Sequence, residues 1–297
     1  MDYQWYPGHM TKAKRMMEEN IKLIDLVIEI VDARIPLSSR NPDIDDLAKN
    51  KARIIILNKA DLADERITNH WISYFNKKEI LCLKSNSRNS SDIKPVNNLI
   101  MESCSKKIER DRAKGILNRP VRAMVVGIPN VGKSTFINSF SGKASAKTGN
   151  KPGITKGKQW IKLNNSVELL DTPGILWPKF NDKETGKKLA MIGSMNDNIL
   201  NVEELSLEII KYIYNNYPDN IIERFSLNKS EVENSYDENS INPEMSIPLY
   251  IMEQAAIKRG CIKKGAQPDY EKVSNLILED FRSGRLGRIS LEDTTEL

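Results

Sequence analysis

Short apolar runs and amphipathic stretches alternate along roughly the first 180 residues of the chain. The apolar runs are rich in Val, Ile and Leu and predict buried strands, while the stretches between them place apolar residues at helical spacing. The predicted strands are 26–31, 53–57, 79–83, 121–126, 158–163 and 167–170, and the predicted helices are 10–23, 42–50, 64–78, 92–113 and 133–141. Strands that alternate with helices predict an α/β domain with a mostly parallel sheet.

The pattern changes after about residue 180, where no further strand-like run occurs. Helical spacing continues at 184–193, 203–216, 249–259 and 270–283. The stretch 226–247 is polar and contains Pro243, which predicts a long loop. The sequence therefore predicts two domains: an α/β domain at 1–180, with an N-terminal extension at 1–20, and an all-α domain at 181–297.

Composition restricts the class of protein. Hydrophobic residues make up 39% of the chain and charged residues 29%, as in soluble globular proteins. The three cysteines lie far apart and there are two histidines, which argues against a zinc site and against a disulfide framework. No apolar run has the ~18 residues needed to span a bilayer, and the N-terminus has no apolar signal-peptide core. We expect a cytoplasmic protein with no membrane partner.

The most specific motif is Gly127-x-x-x-x-Gly132-Lys133-Ser134, which follows a predicted strand and precedes a predicted helix. That context is typical of a phosphate-binding loop. Backbone N–H groups would hold the phosphates, the Lys133 ammonium would neutralise their charge, and the Ser134 hydroxyl would bind Mg²⁺. The predicted nucleotide contacts are Asn130, Val131, Gly132, Lys133, Ser134 and Thr135.

A second phosphate-side motif, Asp171-Thr-Pro-Gly174, ends the predicted strand 167–170. Asp171 would hold Mg²⁺ through water, and the Gly174 N–H would meet the terminal phosphate. A threonine between the two motifs would complete the metal shell. Thr148 and Thr155 are both candidates for this role.

The motif Asn58-Lys59-Ala60-Asp61 lies at the end of the predicted strand 53–57 and predicts recognition of guanine. The Asp61 carboxylate can accept two N–H donors from one edge of guanine, a pair that adenine does not offer. Asn58 would support the base edge, and the stem of Lys59 would cover the ring face. Together with the phosphate loop, this motif predicts a site for GTP and GDP.

Two further features concern the base-binding side. Asn86 and Ser87 follow the predicted strand 79–83, where backbone groups are placed to meet the guanine oxygen. The guanine motif precedes the phosphate loop, although the phosphate loop comes first in an ordinary GTPase. The same site is therefore predicted with its parts in rotated order, as in a circular permutation.

The rotated order, Trp5-Tyr-Pro-Gly-His-Met10, Asp32-Ala-Arg34 and the segment from Phe281 to Leu291 together resemble the ribosome biogenesis GTPase A family, also called YlqF or RbgA. The resemblance covers nearly the whole chain. It implies a circularly permuted P-loop GTPase domain followed by an all-α domain, with Thr155 as the metal-binding threonine. It also implies late assembly of the bacterial large (50S) ribosomal subunit, with ribosomal RNA gripped by the C-terminal domain. We expect a monomer.

The attacking water lacks its usual partner in this sequence. Ile175 follows Gly174, where many GTPases place a glutamine that orients the water. Lys133 and Thr155 are expected to act on the reacting phosphate. Either another group orients this water, or hydrolysis is slow until the protein binds a partner.

His9 is the candidate for that group. Pro7 and Gly8 predict a turn that would present the imidazole ring, and the resembling family carries a histidine in this segment. The alternatives are that His9 is structural or contacts RNA. A potassium ion at Asn130 is a further possibility implied by GTPases with this form of the loop, and simple loop capping is the other interpretation of Asn130.

Basic residues cluster in three parts of the chain. Residues 142–162 contain six lysines and no acidic residue, and residues 104–122 contain seven basic and two acidic residues. Residues 256–288 contain eight basic and four acidic residues, for which a solvated charged surface is the alternative. Such clusters suit the phosphates of RNA.

Two other functions stay open on the sequence. One is a GTP-gated RNA-binding module with little turnover, which the apolar Ile175 favours. The other is a permuted GTPase that acts on another ribosomal particle. Relatives of that kind carry zinc clusters or an OB domain, and this sequence contains neither.

Overall fold

The computed structural model describes residues 7–117, 119–142, 159–163, 166–172, 174, 182–197 and 200–296, without the side chains of 7–13, 159 and 296. The chain forms two compact units. One consists of Met1–Gly186 together with Glu292–Leu297, and the other of Lys187–Leu291. The second unit therefore differs from the predicted domain 181–297 at both of its ends.

The first unit is built on a six-stranded sheet within the described residues, in the order β3-β2-β1-β4-β6-β5. Neighbouring strands are parallel except β5, which pairs antiparallel with β6. The strands are β1 (Leu26–Asp32), β2 (Ala52–Asn58), β3 (Leu81–Ser85), β4 (Val121–Val126), β5 (Gln159–Lys162) and β6 (Val167–Asp171). The predicted α/β fold with a mostly parallel sheet is confirmed.

The strand β1 lies between β2 and β4, and all seven of its residues are buried. A parallel strand that is covered on both faces requires an apolar run, which explains the sequence of β1. Glu29 is a charged residue in the middle of the strand, and Arg40 and Arg53 donate to its carboxylate at 3.1 and 3.2 Å. Burial of this charge is offset by the paired guanidinium groups.

Helices connect these strands at the bounds α1 (Pro7–Asn20), α2 (Asp43–Leu47), α3 (Glu65–Lys77), α4 (Ser90–Ser103), α5 (Ser105–Ala113) and α6 (Lys133–Ser141). Asp64 caps α3, since its carboxylate accepts from the N–H groups of Arg66 and Ile67. The prediction of one helix at 92–113 is wrong, because the chain breaks it at Cys104 into α4 and α5. The Cys104 side chain at this break is buried.

The helices after β6 are α7 (Lys183–Met191), α8 (Val202–Asn216), α9 (Pro218–Phe225), α10 (Lys229–Asn234), α11 (Ser246–Lys258) and α12 (Tyr270–Ser283). The predicted long loop at 226–247 is wrong in part, because it contains α10 and a 3₁₀ turn at Pro243–Met245. The Asn228 side chain caps α10, and this cap stabilises a short helix whose sequence is mostly polar. No helix among the described residues is long and apolar enough to cross a bilayer.

The Phe281–Leu291 segment, on which the family resemblance partly rests, organises the second unit. Phe281 is buried, and Gly284 ends α12 in the left-handed conformation. The Arg282 guanidinium donates to the carbonyl oxygens of Ala190 at 2.8 Å and Met191 at 3.0 Å, at the end of α7. Cations at a helix C-terminus satisfy its free carbonyl groups.

Candidate nucleotide-binding site

The sheet register brings three polar residues side by side at one edge. Asp32 pairs with Asn58 across β1 and β2, and Asn58 pairs with Ser85 across β2 and β3. These residues are the last of their strands. Ligands of open α/β sheets bind outside the carboxyl ends of the strands, where these side chains lie.

The Asn58 side chain joins the two predicted nucleotide motifs. Its Nδ2 donates to the carbonyl oxygen of Val131 at 2.7 Å, across 73 positions of sequence. Its Oδ1 accepts from the backbone N–H of Ser87 at 3.0 Å and from the Ser87 hydroxyl at 2.6 Å. The side chain is buried, so this amide holds the phosphate loop and the loop after β3 together.

The phosphate loop has the backbone conformation that its sequence requires. Asn130 has φ +63° and Gly132 has φ +92°, and asparagine and glycine tolerate this region best. A Cβ atom on Gly132 would lie 2.3 Å from Asn58 Nδ2, so the close approach of the two motifs needs glycine here. The helix α6 begins at Lys133, and its first N–H groups are placed to receive phosphate.

Lys133 and Asp171 meet at the predicted phosphate and metal side. Lys133 Nζ lies 3.9 Å from Asp171 Oδ1, and both side chains are buried. Burial lowers the pKa of Lys133, and the charge of Asp171 opposes this shift. Burial likewise raises the pKa of Asp171, although Lys133 and a backbone hydrogen bond from Thr172 act in the other direction.

The Asp171 carboxylate fits a metal held through water. Its Oδ1 atom is buried and accepts no hydrogen bond from the described residues. Buried carboxylate oxygens need a partner, and a hydrated Mg²⁺ supplies one. No group of three or more His, Cys, Asp or Glu side chains that would bind a metal occurs among the residues described. The predicted magnesium ligands remain the Ser134 hydroxyl, Asp171 through water and Thr155, which lies outside the described residues.

Thr172 and Gly174 of the Asp-Thr-Pro-Gly motif lie against β4 and the phosphate loop, respectively. The Thr172 hydroxyl donates to the carbonyl oxygen of Val125 at 2.7 Å, which ties the motif to β4. A Cβ atom on Gly174 would lie 3.1 Å from both N and Cα of Pro129. This position therefore favours glycine and places the Gly174 backbone beside the loop, where it was predicted to meet the terminal phosphate.

The base-binding side is open where the guanine would enter. Asp61 is exposed, so its carboxylate is free of burial by protein and available to a base. The N–H of Ala60 donates to the carbonyl oxygen of Ser85 at 3.1 Å, which fixes the motif to the end of β3. The N–H of Asn86 donates to Asp92 at 2.9 Å, and Ser139 of α6 donates to the carbonyl oxygen of Ser87.

A buried ion cluster behind the guanine motif was missed by the sequence reasoning. Arg34 Nε donates to Asp32 Oδ1 at 2.9 Å, and Lys59 Nζ donates to Asp32 Oδ2 at 2.9 Å. Burial disfavours the charged form of Asp32, but the charges of Arg34 and Lys59 outweigh it and hold the pKa of this carboxyl well below its usual range. The position of Asp32 at the end of a buried strand next to β2 was the available signal.

Four predicted residues have side chains outside the described part of the structure: His9, Thr148, Thr155 and Ile175. The backbone at His9 is described, and it corrects one expectation. Pro7 and Gly8 do not form a turn, because Pro7–Asn20 is the helix α1. Proline suits the first position of a helix, where no N–H partner is needed.

Comparison with known proteins agrees with this geometry. A model of the family described as "50S ribosome-binding GTPase" matches residues 122–235. The match contains the phosphate loop and leaves Asn58–Asp61 outside, as the rotated order of the motifs requires. The ribosome biogenesis GTPase A of Bacillus cereus is 43% identical over 296 residues, which covers 100% of this chain and 95% of that protein. The chain belongs to the ribosome biogenesis GTPase A family.

Solved structures extend the similarity to the whole fold. The GNP-bound YlqF from T. maritima is 28% identical with a TM-score of 0.60, covering 95% of this chain and 98% of that one. A GDP-bound structure of TM YlqF is 26% identical with a TM-score of 0.63, covering 94% and 99%. The predicted membership of this family is thus confirmed, together with the predicted GTPase activity that defines it.

Proposed function

We propose that this protein is a GTP-hydrolysing assembly factor for late maturation of the bacterial large ribosomal subunit, and that it binds ribosomal RNA in a GTP-dependent way. The observation that carries the proposal is the bond from Asn58 to Val131, because it joins a guanine motif to a phosphate loop in one site. Family membership at 43% identity supports the ribosomal role.

The residues of the site divide the work of binding. Asp61 selects guanine, with Asn58, Lys59, Ala60, Asn86 and Ser87 around the base. The loop from Asn130 to Thr135 holds the phosphates, and Lys133 neutralises them. Mg²⁺, held by the Ser134 hydroxyl and by Asp171 through water, would neutralise charge that develops on the phosphates. Thr155 would join the metal only when GTP is bound.

The water that attacks the terminal phosphate is positioned by a group other than a glutamine. Because Ile175 cannot hydrogen-bond a water, we assign its positioning to His9, with K⁺ near Asn130 as the alternative. Lys133 and Thr155 act on the reacting phosphate. Loss of the terminal phosphate would release Thr155, and this order-to-disorder change would report the nucleotide state to the bound ribosomal particle.

The division of labour between the domains is part of the proposal. We place the nucleotide site in the first unit, Met1–Gly186 with Glu292–Leu297, and assign the grip on ribosomal RNA to the helical unit Lys187–Leu291. The protein acts as a monomer. Equilibrium sedimentation with GDP and with a non-hydrolysable GTP analogue tests this last point, and a dimer in either state would contradict it.

The experiment that tests the proposal is co-sedimentation with purified large subunits in the presence of GDP or a non-hydrolysable GTP analogue. We expect co-sedimentation with the analogue and little with GDP. Asp61→Asn supplies an internal control, because its amide should favour the xanthine analogue over the guanine one. Co-sedimentation of this variant should follow the xanthine nucleotide. Equal binding of the wild type with GDP and the analogue would refute GTP dependence.

A second control distinguishes loss of base recognition from loss of a helix cap. Asp64→Asn alters a carboxylate three positions after Asp61 that accepts from the N–H groups of Arg66 and Ile67 and so caps α3. This variant should keep the guanine preference of the wild type. A preference of the Asp64→Asn variant for the xanthine nucleotide would show that the assignment of base recognition to Asp61 is wrong.

A further inference from the structure

The helix α5 presents a row of cations on one face. Lys106, Arg110 and Lys114 follow at intervals of four residues, so their side chains lie one above the other. All three are exposed. No ion pair joins them to a carboxylate within the described part of the chain, and none is among the residues with other partners. Such a row is free to bind anions.

The acidic residues near the row do not neutralise it. Lys107 Nζ lies 3.0 Å from Asp111 Oδ2 and 3.2 Å from Asp25 Oδ2, so a different lysine pairs with both carboxylates. The hydrogen bond from Lys107 is the main cause that lowers the pKa of Asp111, and the charge of Lys114 contributes less. Glu109 is the other acidic residue of α5 and is exposed. The exposed side of the helix therefore keeps an excess of positive charge.

Asp25 connects α5 to a second basic element. Its carboxylate accepts from the backbone N–H of Arg122 at 3.0 Å, and Arg119 lies 3.4 Å away. The Arg122 guanidinium donates to the Glu168 carboxylate at 3.2 Å and lies 5.5 Å from the ring centre of Trp160, so its charge is already paired. Asp25 thus holds α5 beside the start of β4, and the cations of the α5 row are the ones left to bind RNA phosphates.

The position of this surface separates it from the nucleotide site. Asp25 precedes β1 and Arg122 is near the start of β4, so they lie at the amino ends of parallel strands. Asn58, Ser85 and Asp171 lie at the carboxyl ends, which form the opposite edge of the sheet. Changes in the α5 surface should therefore leave nucleotide affinity unaltered.

We propose that the α5 surface, defined as Lys106, Arg110 and Lys114, binds the backbone of ribosomal RNA on the GTPase unit itself. This inference rests on the proposed function and gives the RNA a contact outside the C-terminal domain. The RNA would lie against the sheet edge remote from the nucleotide. It would leave that site open to exchange and hydrolysis.

The first test neutralises two cations and compares a matched pair elsewhere. Lys106→Gln with Arg110→Gln removes one Lys and one Arg from the α5 surface. Arg66→Gln with Lys77→Gln removes the same charges from exposed positions of α3. Binding to large subunits is measured with the GTP analogue over a series of salt concentrations, after nucleotide affinity has been measured for each protein.

We expect the α5 double variant to bind large subunits about tenfold more weakly or worse. The slope of log affinity against log salt concentration should become shallower by about 1.4–1.8, because two phosphate contacts are lost. The α3 pair should behave as the wild type, and all three proteins should bind nucleotide equally. Equal subunit binding by the two double variants would overturn the inference. Absence of binding by the wild type would instead overturn the proposed function.

The second test identifies what the surface touches. A photoreactive group is attached to Lys114→Cys, with Lys77→Cys as control. The native cysteines should not react, because Cys82, Cys104 and Cys261 are buried and burial raises the pKa of the Cys104 thiol to about 11. We expect crosslinks from position 114 to ribosomal RNA when the GTP analogue is bound. Crosslinks to ribosomal protein alone, or none in bound complexes, would overturn the inference.

Discussion

Asn58 Nδ2 donates a hydrogen bond of 2.7 Å to the carbonyl oxygen of Val131, and this bond holds the guanine motif against the phosphate loop. Asn58→Ala would leave the Val131 carbonyl and the Ser87 N–H buried without partners. Each such group costs about 1–3 kcal/mol. We expect lower stability to denaturant and GDP affinity weakened by at least about tenfold, measured with a fluorescent GDP analogue.

Ser87→Ala is the matched comparison for that change. It removes the hydroxyl donor to Asn58 Oδ1 but keeps the backbone N–H bond at 3.0 Å. Its loss of affinity should be smaller than that of Asn58→Ala. If Asn58→Ala binds GDP as tightly as the wild type, the two motifs do not depend on this amide.

Asp171→Asn should separate protein stability from metal binding. Burial raises the pKa of Asp171 above its ordinary 3.8, so the folded nucleotide-free protein binds this proton more tightly than the unfolded chain. Stability contributed by this group therefore falls as pH rises from the unfolded pKa through the folded pKa. The asparagine removes the buried charge of Asp171 but also the counter-charge of Lys133 at 3.9 Å. We therefore expect the melting temperature of the nucleotide-free variant to vary less with pH across this range than that of the wild type.

The same variant should lose the effect of Mg²⁺ on GTP binding, because the amide cannot replace the carboxylate charge. Thermal melts without nucleotide and GTP titrations with Mg²⁺ or with chelator measure the two effects. A variant whose melting temperature keeps the pH dependence of the wild type and that still binds GTP more tightly with Mg²⁺ would contradict both expectations.

Parts of this site could be predicted from sequence because each motif is continuous with the element that carries it. The predicted strand 121–126 and helix 133–141 match β4 and α6, since an apolar run, a glycine loop and a helix start are local features. The cap of α10 was also available, as Asn228 with Glu231 three positions later. The polar composition of the segment concealed it.

Other contacts had no local signal. No proline or glycine marks the break between α4 and α5 at Cys104. Glu292 accepts from the N–H groups of Leu37 and Ser38, at a sequence separation of 255 and 254 positions. The carbonyl oxygen of Glu292 also accepts from Trp71 Nε1 at 3.1 Å. These contacts depend on packing of distant segments, which residue pattern alone does not encode.

Asp32→Asn should destabilise the protein more than an ordinary ion-pair variant. It leaves the buried Arg34 without its principal counter-charge and releases Lys59 from a bond of 2.9 Å. Removal of one partner of a buried pair costs about 3–5 kcal/mol. We expect a loss of this size in chemical unfolding near neutral pH, together with weaker GDP binding because Lys59 is no longer positioned.

The destabilisation by Asp32→Asn should depend on pH, and Asp45→Asn provides a control for it. The folded-state pKa of Asp32 is lowered, so its contribution is present above the ordinary value of 3.8 and is lost as pH falls towards the folded value. The difference between wild type and variant should shrink in that acidic range. Asp45→Asn breaks pairs of a carboxylate that is 53% exposed and should cost about 0–1 kcal/mol. Equal costs for the two variants would contradict the account.

His9→Ala tests the proposed handling of the attacking water. We expect hydrolysis at saturating large subunits to slow by about 10²-fold, the usual effect of lost acid–base positioning, with GTP affinity unchanged. His70→Ala is the control, because His70 lies on α3 with its Nδ1 3.5 Å from the Asp293 carboxylate. A normal rate in His9→Ala, with subunit binding intact, would transfer the role to K⁺ at Asn130.

The central claim is that this GTPase works on the large ribosomal subunit, and its most direct test is the rate of GTP hydrolysis with and without that subunit. Small subunits at the same concentration serve as the control. Because Ile175 occupies the usual glutamine position, we expect slow hydrolysis by the protein alone. Large subunits should raise the rate at least about tenfold, and small subunits should not. A rate that large subunits leave unchanged, or that both subunits raise equally, would contradict the claim.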